Sequence, residues 1–266
     1  MVVNDLGSSM KGEGADAAPA AFVAAEIADA GGEAVADRSD VSTPDGAGAL
    51  VSAAVEHFGR IDVLINNAGI IRWAGFPEVD ADNLERHLAV HVGGSFHTTR
   101  AAWPHMVDQG YGRVVMTSSA GLFGLPNNTS YATAKGAIVG LARSASLAGA
   151  THGIKVNVIA PAAWTRMAGE GDGDGQMAPE LVAPMAAFLA HEDCPVSGEV
   201  YAAGAGRFAR IFIATTPGYV HPDPEVAIED VAANWGAIND EGGYTVPRDL
   251  TAWSAAFLAH LADGGS

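Results

Sequence analysis

The chain has 266 residues, of which 48% are hydrophobic and 17% are charged, so it is long enough and apolar enough to form one large core. Its formal net charge of −17 disfavours nucleic acid and anionic membranes as partners, which leaves small molecules as the expected ligands. The single cysteine, Cys194, excludes an internal disulfide and a cysteine-based metal cluster. No stretch resembles a secretion signal or a membrane helix of about 20 apolar residues, so a cytoplasmic location is expected.

Short runs rich in valine and isoleucine alternate with longer segments of helical periodicity. This alternation predicts an α/β fold, in which a Rossmann-like, doubly wound parallel sheet forms the centre of three α/β/α layers. The predicted strands are residues 1–5, 33–36, 61–66, 113–117, 155–160 and 199–202. The predicted helices are residues 15–30, 43–58, 81–108, 131–150 and 178–191.

Two stretches depart from this alternation. Residues 168–176 are rich in glycine and aspartate without apolar periodicity, which predicts a mobile loop that is either a plain linker or a substrate lid. The last 60 or so residues are turn-rich, with weak helical patterns at 225–235 and 248–261. We therefore predict a Rossmann-like domain over residues 1–206 and a C-terminal extension, residues 207–266, packed on the same domain.

The most specific chemical signal is Tyr131 followed four residues later by Lys135, because this spacing puts both side chains on one face of a helix. Oxidation of an alcohol needs a base for the hydroxyl proton, and a phenol with a pKa near 10 is too weak a base at neutral pH. A nearby Lys135 ammonium is expected to lower the pKa of Tyr131. Ser118 can then hydrogen-bond the substrate oxygen, and in the reductive direction Tyr131 acts as the acid.

The surroundings of this pair distinguish it from a chance tyrosine and lysine on a helix surface. Thr117, Ser118 and Ser119 end one predicted strand, and the sequence NNAG at residues 66–69 ends an earlier one. Ligands of open α/β sheets bind beyond the carboxyl ends of the strands. The sequence therefore predicts a binding site at this edge.

These motifs resemble those of the short-chain dehydrogenase/reductase family, and the similarity runs over essentially the whole chain. It is carried by NNAG at 66–69, TSSAG at 117–121 and YATAK at 131–135. A closer resemblance is to the (3R)-hydroxyacyl-CoA dehydrogenase units of peroxisomal multifunctional enzymes and their bacterial relatives. The segments behind it are VVNDLG at 2–7, FGRIDVLINNAGI at 58–70, GSFHTTRAAWPHM at 94–106, YGRVVMTSSAG at 111–121 and GAG at 204–206.

The resemblance implies an oxidoreductase that transfers a hydride between NAD and a secondary alcohol or ketone. The closer similarity favours a 3-hydroxyacyl-CoA, oxidised in fatty-acid β-oxidation, as the substrate. A steroid or another secondary alcohol is the alternative within the enzyme class. From a different class comes an inactive chain that serves only as a dimer-forming module, because relatives pair through helices corresponding to residues 81–108 and 131–150. A homodimer is expected in either case.

The same resemblance assigns roles to five residues. Tyr131 is the acid/base, Lys135 lowers its pKa and binds the cofactor ribose, and Ser118 orients the carbonyl. Ser119 takes the place of Ser118 if the turn is shifted by one residue. His91 stands where the family commonly has an asparagine that holds a proton-relay water, and the hydroxyacyl-CoA subgroup resembles this chain in having histidine there. The alternative for His91 is a packed helix-face histidine.

Asp5 points to NAD rather than NADP. An acidic side chain at the end of this strand accepts hydrogen bonds from the adenosine ribose and repels a 2′-phosphate, and we identify no arginine nearby. The alternative is an aspartate that turns the chain before Gly7. Pro161 precedes Ala162 where the family often has glycine, which requires a negative φ at Ala162. The cofactor contacts implied by the resemblance are Asp5, Asp40, Val41, Asn67, Ala68, Gly69, Tyr131, Lys135 and Pro161.

The family's glycine-rich turn, T-G-x-x-x-G-x-G, does not occur in the chain, nor does the strand that precedes it. That turn supplies the backbone N–H groups that bind pyrophosphate, and its strand lies between those corresponding to residues 1–5 and 61–66. We therefore expect an open slot in the sheet and weak NAD binding, as in an N-terminally truncated reading of a longer protein or in a degenerate copy.

No metal site is expected. His87 and His91 are four residues apart on a predicted helix, but no H-E-x-x-H pattern accompanies them. Surface or core histidines are the simpler interpretation.

Overall fold

The computed structural model describes residues 1–167 and 175–263, so most of the predicted loop at 168–176 lies outside the described residues. The chain divides into two compact units, Met1–Arg210 and Ile211–Ser266. None of the described helices is long and apolar enough to cross a membrane.

The strands of the first unit form two sheets. A two-stranded parallel sheet pairs β1 with β2, and a five-stranded sheet has the order β3-β4-β5-β6-β7, with β3 to β6 parallel. The strands are β1 (Val2–Asn4), β2 (Val35–Asp37), β3 (Val63–Asn66), β4 (Gly112–Thr117), β5 (Ile154–Pro161), β6 (Val200–Gly204) and β7 (Arg207–Ile211). The structure thus confirms the predicted α/β class with a parallel central sheet.

Helices connect the parallel strands, as the sequence predicts. In the first unit they are α1 (Ala18–Asp29), α2 (Pro44–Phe58), α3 (Ala81–His87), α4 (Gly94–Gln109), α5 (Thr129–Gly149) and α6 (Ala183–Leu189). The predicted helix over residues 81–108 is three consecutive segments, because a π-helical turn, Leu88–Gly93, joins α3 to α4. Single π-helical turns inside α-helices are frequent at functional sites.

The ends of α2 illustrate how local sequence sets these boundaries. The hydroxyl of Thr43 caps the helix by accepting the N–H of Gly46 at 3.1 Å. Pro44 occupies the first turn, where its missing N–H costs nothing. Gly59 ends the helix with a φ of 75°, a left-handed conformation that favours glycine.

The core of the first unit centres on β4 and β5. Every residue of β4 is buried, as are six of the eight residues of β5. Such strands, covered on both faces, read as continuous apolar runs rather than alternating ones. This arrangement gives the carboxyl end of β4, where the candidate catalytic residues begin, a rigid base.

Strand β7 was not predicted from the sequence. Ala205 and Gly206, with φ values of 48° and 73°, form a tight two-residue connection from β6, which makes β7 its hairpin partner. Its residues, RFARI, are mostly exposed, so they lack the apolar run that marks the other strands. The strand carries the first compact unit to Arg210, beyond the boundary at residue 206 that the sequence suggested.

The free strand edges that the expected slot would leave are present in the described residues. Within the described residues, β1 pairs only with β2, and β3 pairs on one side only, with β4. Val63 and Ile65 of β3 are 41% and 49% exposed, which is unusual for valine and isoleucine in a parallel strand. Helix α2 packs against both β1 and α4 and so connects the two sheets.

The second unit is built from short helices: α7 (Ile228–Ala233), α8 (Trp235–Ile238), α9 (Leu250–Phe257) and α10 (His260–Asp263). An antiparallel bridge joins Thr215 to Thr245, and the ring of Trp253 stacks on that of Phe257 at 4.7 Å. None of the residues described in α7, α8 and α9 is fully buried. That the unit packs on the first one remains a prediction.

Candidate functional site

Helix α5 brings Tyr131 and Lys135 together on one face. Lys135 is 3% exposed, and its Nζ lies 5.5 Å from the centroid of the Tyr131 ring. The same Nζ donates a hydrogen bond to the carbonyl oxygen of Thr117, the last residue of β4, at 2.8 Å. This bond fixes α5 to the carboxyl end of the strand, so the tyrosine is held where ligands of such sheets bind.

Burial governs the protonation of both groups. It lowers the pKa of Lys135 to about 7 and raises the pKa of Tyr131, because a low-dielectric environment penalises the ammonium and the phenolate alike. The expectation that Lys135 lowers the pKa of Tyr131 below its ordinary value is therefore wrong for this structure. The amine lies over the ring face and donates to Thr117, while the hydrogen bond that lowers the Tyr131 pKa in part comes from Ser119.

The serine beside Tyr131 is Ser119 rather than Ser118. The Ser118 side chain is 1% exposed and donates its hydroxyl to the backbone carbonyl of Lys135 at 2.7 Å, so it stabilises the contact between β4 and α5. Ser119 is partly exposed, its hydroxyl accepts the N–H of Gly121 at 3.0 Å, and its proximity to the Tyr131 phenol acts to lower the pKa of that group. The structure thus favours the alternative in which the turn is shifted by one residue.

His91 lies in the π-helical turn, buried behind the tyrosine ring. Its ring meets that of Tyr131 edge-on at 5.4 Å, and burial lowers its pKa to about 3, so it is neutral at physiological pH. Its Nε2 lies 2.8 Å from the carbonyl oxygen of Ile70, while Nδ1 has no hydrogen-bond partner among the described residues. A Cβ on Gly69 would lie 2.6 Å from the His91 ring, so the glycine of NNAG gives the histidine its space. A water held by His91 remains a prediction.

The other residues of the NNAG motif form the floor of the site. Asn67 accepts the hydroxyl of Thr117 at 3.2 Å and so links the ends of β3 and β4. Asn66 accepts the hydroxyl of Thr98 on α4 at 2.6 Å. Asn67, Ala68 and Gly69 themselves are exposed, as residues that pass beneath a ligand need to be.

The predicted adenosine-binding residues lie at the two-stranded sheet, and each has a structural partner. One oxygen of Asp5 accepts the N–H of Gly7 at 2.7 Å, which is the chain-turning role that we considered as its alternative. Asp40 accepts the N–H of Ser42 at 3.0 Å just before α2 begins. Val41 packs near Gly94 of α4. Cofactor binding by these residues stays a prediction.

One premise of the NAD argument is wrong. In the parallel register Asn4 pairs with Asp37, so Arg38 follows directly at the carboxyl end of β2, beside Asp5. The sequence argument missed it because strand pairing, rather than chain proximity, places it there. The condition on the proline turn is met, since Ala162, after Pro161, is not among the residues with positive φ.

The sequence also undervalued His87. This residue is 0% exposed, stacks on His91 and meets the Tyr131 ring edge-on at 6.2 Å. The only signal for it was the four-residue spacing of the two histidines, which does not say what the helix face meets.

The residues present suit the two ends of a nicotinamide cofactor, the nicotinamide and the adenosine. Exposed NNAG residues and the Tyr131–Lys135 pair suit the nicotinamide end, and the half-buried Asp5 suits the adenosine ribose. The pyrophosphate between them has no T-G-x-x-x-G-x-G turn in this sequence to bind it.

Comparison with known proteins agrees with the motifs. A family model described as short chain dehydrogenase matches residues 13–171. The Mycobacterium tuberculosis protein Rv0148, named as a short-chain type dehydrogenase/reductase, is 41% identical over 91% of this chain and 86% of its own length. Full-length peroxisomal multifunctional enzyme type 2 from Drosophila melanogaster superposes with a TM-score of 0.82 at 29% identity, over 98% of this chain and 49% of that chain. This chain therefore spans about half of the Drosophila enzyme.

A further solved structure is similar at lower coverage. It is a 7α-hydroxysteroid dehydrogenase complexed with NADH and 7-oxo glycochenodeoxycholic acid. Its TM-score is 0.68 at 27% identity, over 77% of this chain and 83% of that chain.

Proposed function

Because the chain belongs to the short chain dehydrogenase family, whose members are oxidoreductases, we propose that it transfers a hydride between NAD and a secondary alcohol or ketone, with a 3-hydroxyacyl-CoA as substrate. The observation that carries this proposal is the convergence of Lys135 and Ser119 on Tyr131 at the carboxyl end of β4. A phenol with a hydroxyl neighbour and an amine neighbour suits proton transfer to or from an oxygen.

Each of the proposed catalytic residues has its own role in the reaction. Ser119 donates a hydrogen bond to the substrate oxygen, and Tyr131 gives its phenolic proton to that oxygen in reduction or takes it in oxidation. Lys135, fixed by Thr117, holds positive charge near the ring when it is protonated. NAD, when bound by Asp5, Asn67, Ala68, Gly69 and Pro161, supplies the hydride acceptor for oxidation.

The raised pKa of Tyr131 predicts how the rates of reduction and oxidation depend on pH. At neutral pH the phenol is protonated and ready to act as an acid towards a ketone. Oxidation needs the phenolate, so its rate should rise as the pH is raised towards and above 10.

The substrate class rests on similarity. The Drosophila multifunctional enzyme matches both compact units of this chain, whereas the hydroxysteroid dehydrogenase matches 77% of it. A steroid alcohol is the second candidate, favoured by the bile-acid ligand in that structure's name. We propose a cytoplasmic location, because a chain whose single cysteine is Cys194 has no internal disulfide that would require an oxidising compartment.

A homodimer is part of the proposal. It would form through α4 and α5, where Phe96 is 46% exposed and Leu147 is 54% exposed. Large apolar side chains exposed on long helices are typical of surfaces that become buried in an assembly.

The direct test compares substrates in one assay. A (3R)-hydroxyacyl-CoA and a 7α-hydroxysteroid are offered with NAD, and NADH absorbance is followed for this chain and for a form extended at its N-terminus by a strand, a glycine-rich turn and a helix. Faster oxidation of the acyl-CoA supports the proposal, and faster oxidation of the steroid supports the second candidate. Turnover of neither substrate by either form contradicts both and favours the dimer-forming module.

A further inference from the structure

Two histidines one helical turn apart lie directly behind the Tyr131 ring. His87 ends α3 and His91 lies in the π-helical turn, and their side chains are 0% and 2% exposed. The rings are parallel within 8° with centroids 5.9 Å apart. Each meets the Tyr131 ring edge-on, at 6.2 Å for His87 and 5.4 Å for His91. Tyr131 therefore packs against both histidine rings.

The same two rings bind the main chain of the segment that follows NNAG. His91 Nε2 contacts the backbone of Ile70, and His87 Nε2 accepts the N–H of Arg72 at 3.2 Å. The N–H of the intervening Ile71 donates to the carbonyl oxygen of Met10 at 2.8 Å. Alternate residues of this segment thus use the helix on one side and the loop after β1 on the other.

The spacing of His87 and His91 on the helix matches the spacing of the backbone groups at Ile70 and Arg72. Side chains four residues apart on a helix are separated by about one turn, roughly 5.4 Å to 6 Å. Backbone groups two residues apart in an extended chain are separated by about 6.6 Å and point the same way. A pair of histidines at this helical spacing can therefore bind every second residue of an extended segment.

The hydrogen bonds of His87 fix its protonation and its ring orientation. Nδ1 lies 2.7 Å from the carbonyl oxygen of Asn83, which can only accept, so Nδ1 carries the proton. Nε2 is then the acceptor for Arg72, and the ring is neutral with both nitrogens used. Burial, the main cause, lowers the pKa of His87, which keeps it neutral. An aliphatic side chain would fill the space but leave the Arg72 N–H unpaired.

We propose that His87 is a positioning residue for proton transfer: together with His91 it forms a ladder that holds residues 70–72 and the Tyr131 ring in one fixed arrangement. The ladder itself follows from the contacts above. Its effect on catalysis rests on the proposed function.

The test distinguishes the contribution of the His87 hydrogen bonds from that of the His87 ring. His87→Phe keeps the ring and removes both hydrogen bonds, and His87→Gln restores an acceptor that reaches the Arg72 N–H. His105→Phe, on the exposed side of α4, is the matched control. Amide hydrogen exchange is measured by NMR on the full chain. We expect the Arg72 amide to exchange at least about fivefold faster in His87→Phe, with Ile71 unchanged, and to be protected in His87→Gln and His105→Phe.

Parent-like exchange of Arg72 in His87→Phe overturns the proposal. If that variant does not fold, His87→Asn replaces it, because the shorter amide reaches Asn83 but not Arg72. Equal Arg72 exchange in His87→Asn and His87→Gln then overturns the proposal.

The catalytic part has its own readout. We expect His87→Phe to lower kcat about tenfold with little change in KM, and His87→Gln to recover most of that loss. An unchanged kcat, or an effect on KM alone, contradicts a positioning role. If the parent oxidises none of the proposed substrates, the proposed function fails, while the exchange experiment still decides whether the ladder exists.

Discussion

The two sheets of the first unit differ in how completely each is enclosed. In the five-stranded sheet every residue of β4 is buried, and the catalytic candidates follow directly from its end. In the two-stranded sheet no residue of β1 or β2 is fully buried, although β1 leads to Asp5. A two-stranded sheet is marginal unless something packs against it. The comparison teaches that the proposed proton-transfer residues follow a fully buried strand, whereas the proposed contact of Asp5 with the cofactor follows a strand that is only partly buried.

The five-stranded sheet is also secured at the edge opposite the site. Arg113 of β4 is 6% exposed and makes a cation–π contact with Tyr111 at 4.2 Å. Its guanidinium donates to the backbone carbonyls of Gly112, Gly153, His191 and Glu192. Carbonyl dipoles and an aromatic ring stabilise the buried guanidinium of Arg113. These contacts hold β5 and the segment after α6 to β4, at the end of the strand opposite the candidate site.

The largest expected effect concerns the catalytic side. Tyr131→Phe keeps a ring packed edge-on against the two histidines and removes the proposed acid/base, so kcat should fall by about 10² to 10⁴. Tyr111→Phe, which keeps the ring under Arg113, is the control and should leave kcat unchanged. Both are measured by steady-state kinetics with the preferred substrate. Residual activity of Tyr131→Phe close to that of the parent removes Tyr131 from the chemistry.

Burial of Lys135 should make the stability of the first unit depend on pH. The folded pKa of Lys135, about 7, lies below its ordinary 10.5, so the unfolded chain binds this proton more tightly between these values. The penalty of burying the ammonium is full below pH 7 and is lost as the pH rises towards 10.5. Lys135→Met should therefore gain stability relative to the parent at pH 6.5, and the gain should shrink by about 1 to 2 kcal/mol at pH 9.

Urea unfolding at the two pH values measures this difference. Lys11→Met, on an exposed lysine of the loop after β1, is the control. A pH dependence in Lys135→Met that parallels the parent would mean that the amine is not buried as the structure has it.

The adjacent serines are expected to respond differently. Ser119→Ala removes the hydroxyl beside the phenol and should lower kcat about tenfold with little change in stability. Ser118→Ala removes the side-chain donor to the Lys135 carbonyl and should cost about 1 kcal/mol of unfolding free energy, with a smaller effect on kcat. Kinetics and thermal unfolding of both variants decide the matter, and the reverse pattern would restore Ser118 as the carbonyl-orienting residue.

The smallest effect is expected on the cofactor side. Asp5→Asn weakens the repulsion of a 2′-phosphate and should lower the preference for NAD over NADP a few-fold, by roughly 1 kcal/mol or less. Arg38→Ala should raise that preference, since Arg38 lies beside Asp5 and favours a phosphate. The ratio of kcat/KM for the two cofactors is the measurement. A ratio that is unchanged in Asp5→Asn would leave Asp5 with its bond to Gly7 as its only role.

Sequence reasoning predicted what depends on periodicity and on motif spacing. Strands β1 to β6 were located because most of them are short valine- and isoleucine-rich runs between helical segments. Tyr131 and Lys135 were located because residues four apart lie on one helical face. Strand β7 was missed because its exposed residues give no such run. The choice between Ser118 and Ser119 depends on a one-residue register in a turn, which spacing does not determine.

Two further features depend on three-dimensional proximity. The direction of the Tyr131 pKa is decided by how deeply the phenol is buried, and the sequence showed only that a lysine was near. The parallel register of β1 and β2 places Arg38 next to Asp5 along the backbone, although 33 residues of chain separate the two. The contact of His87 with Tyr131 likewise depends on how α3 packs against α5.

The proposed catalytic residues are brought together at the end of β4, whereas in the described residues no strand pairs with the free edges of β1 and β3, and the sequence has no T-G-x-x-x-G-x-G turn for the pyrophosphate. The most direct test is titration of NAD against the 266-residue chain and against the form extended by a strand, a glycine-rich turn and a helix, followed by isothermal calorimetry. We expect the extended form to bind at least about tenfold more tightly, a difference of about 1.4 kcal/mol. Equal and tight binding by the 266-residue chain would contradict the claim, because it would show that the open slot does not limit cofactor binding.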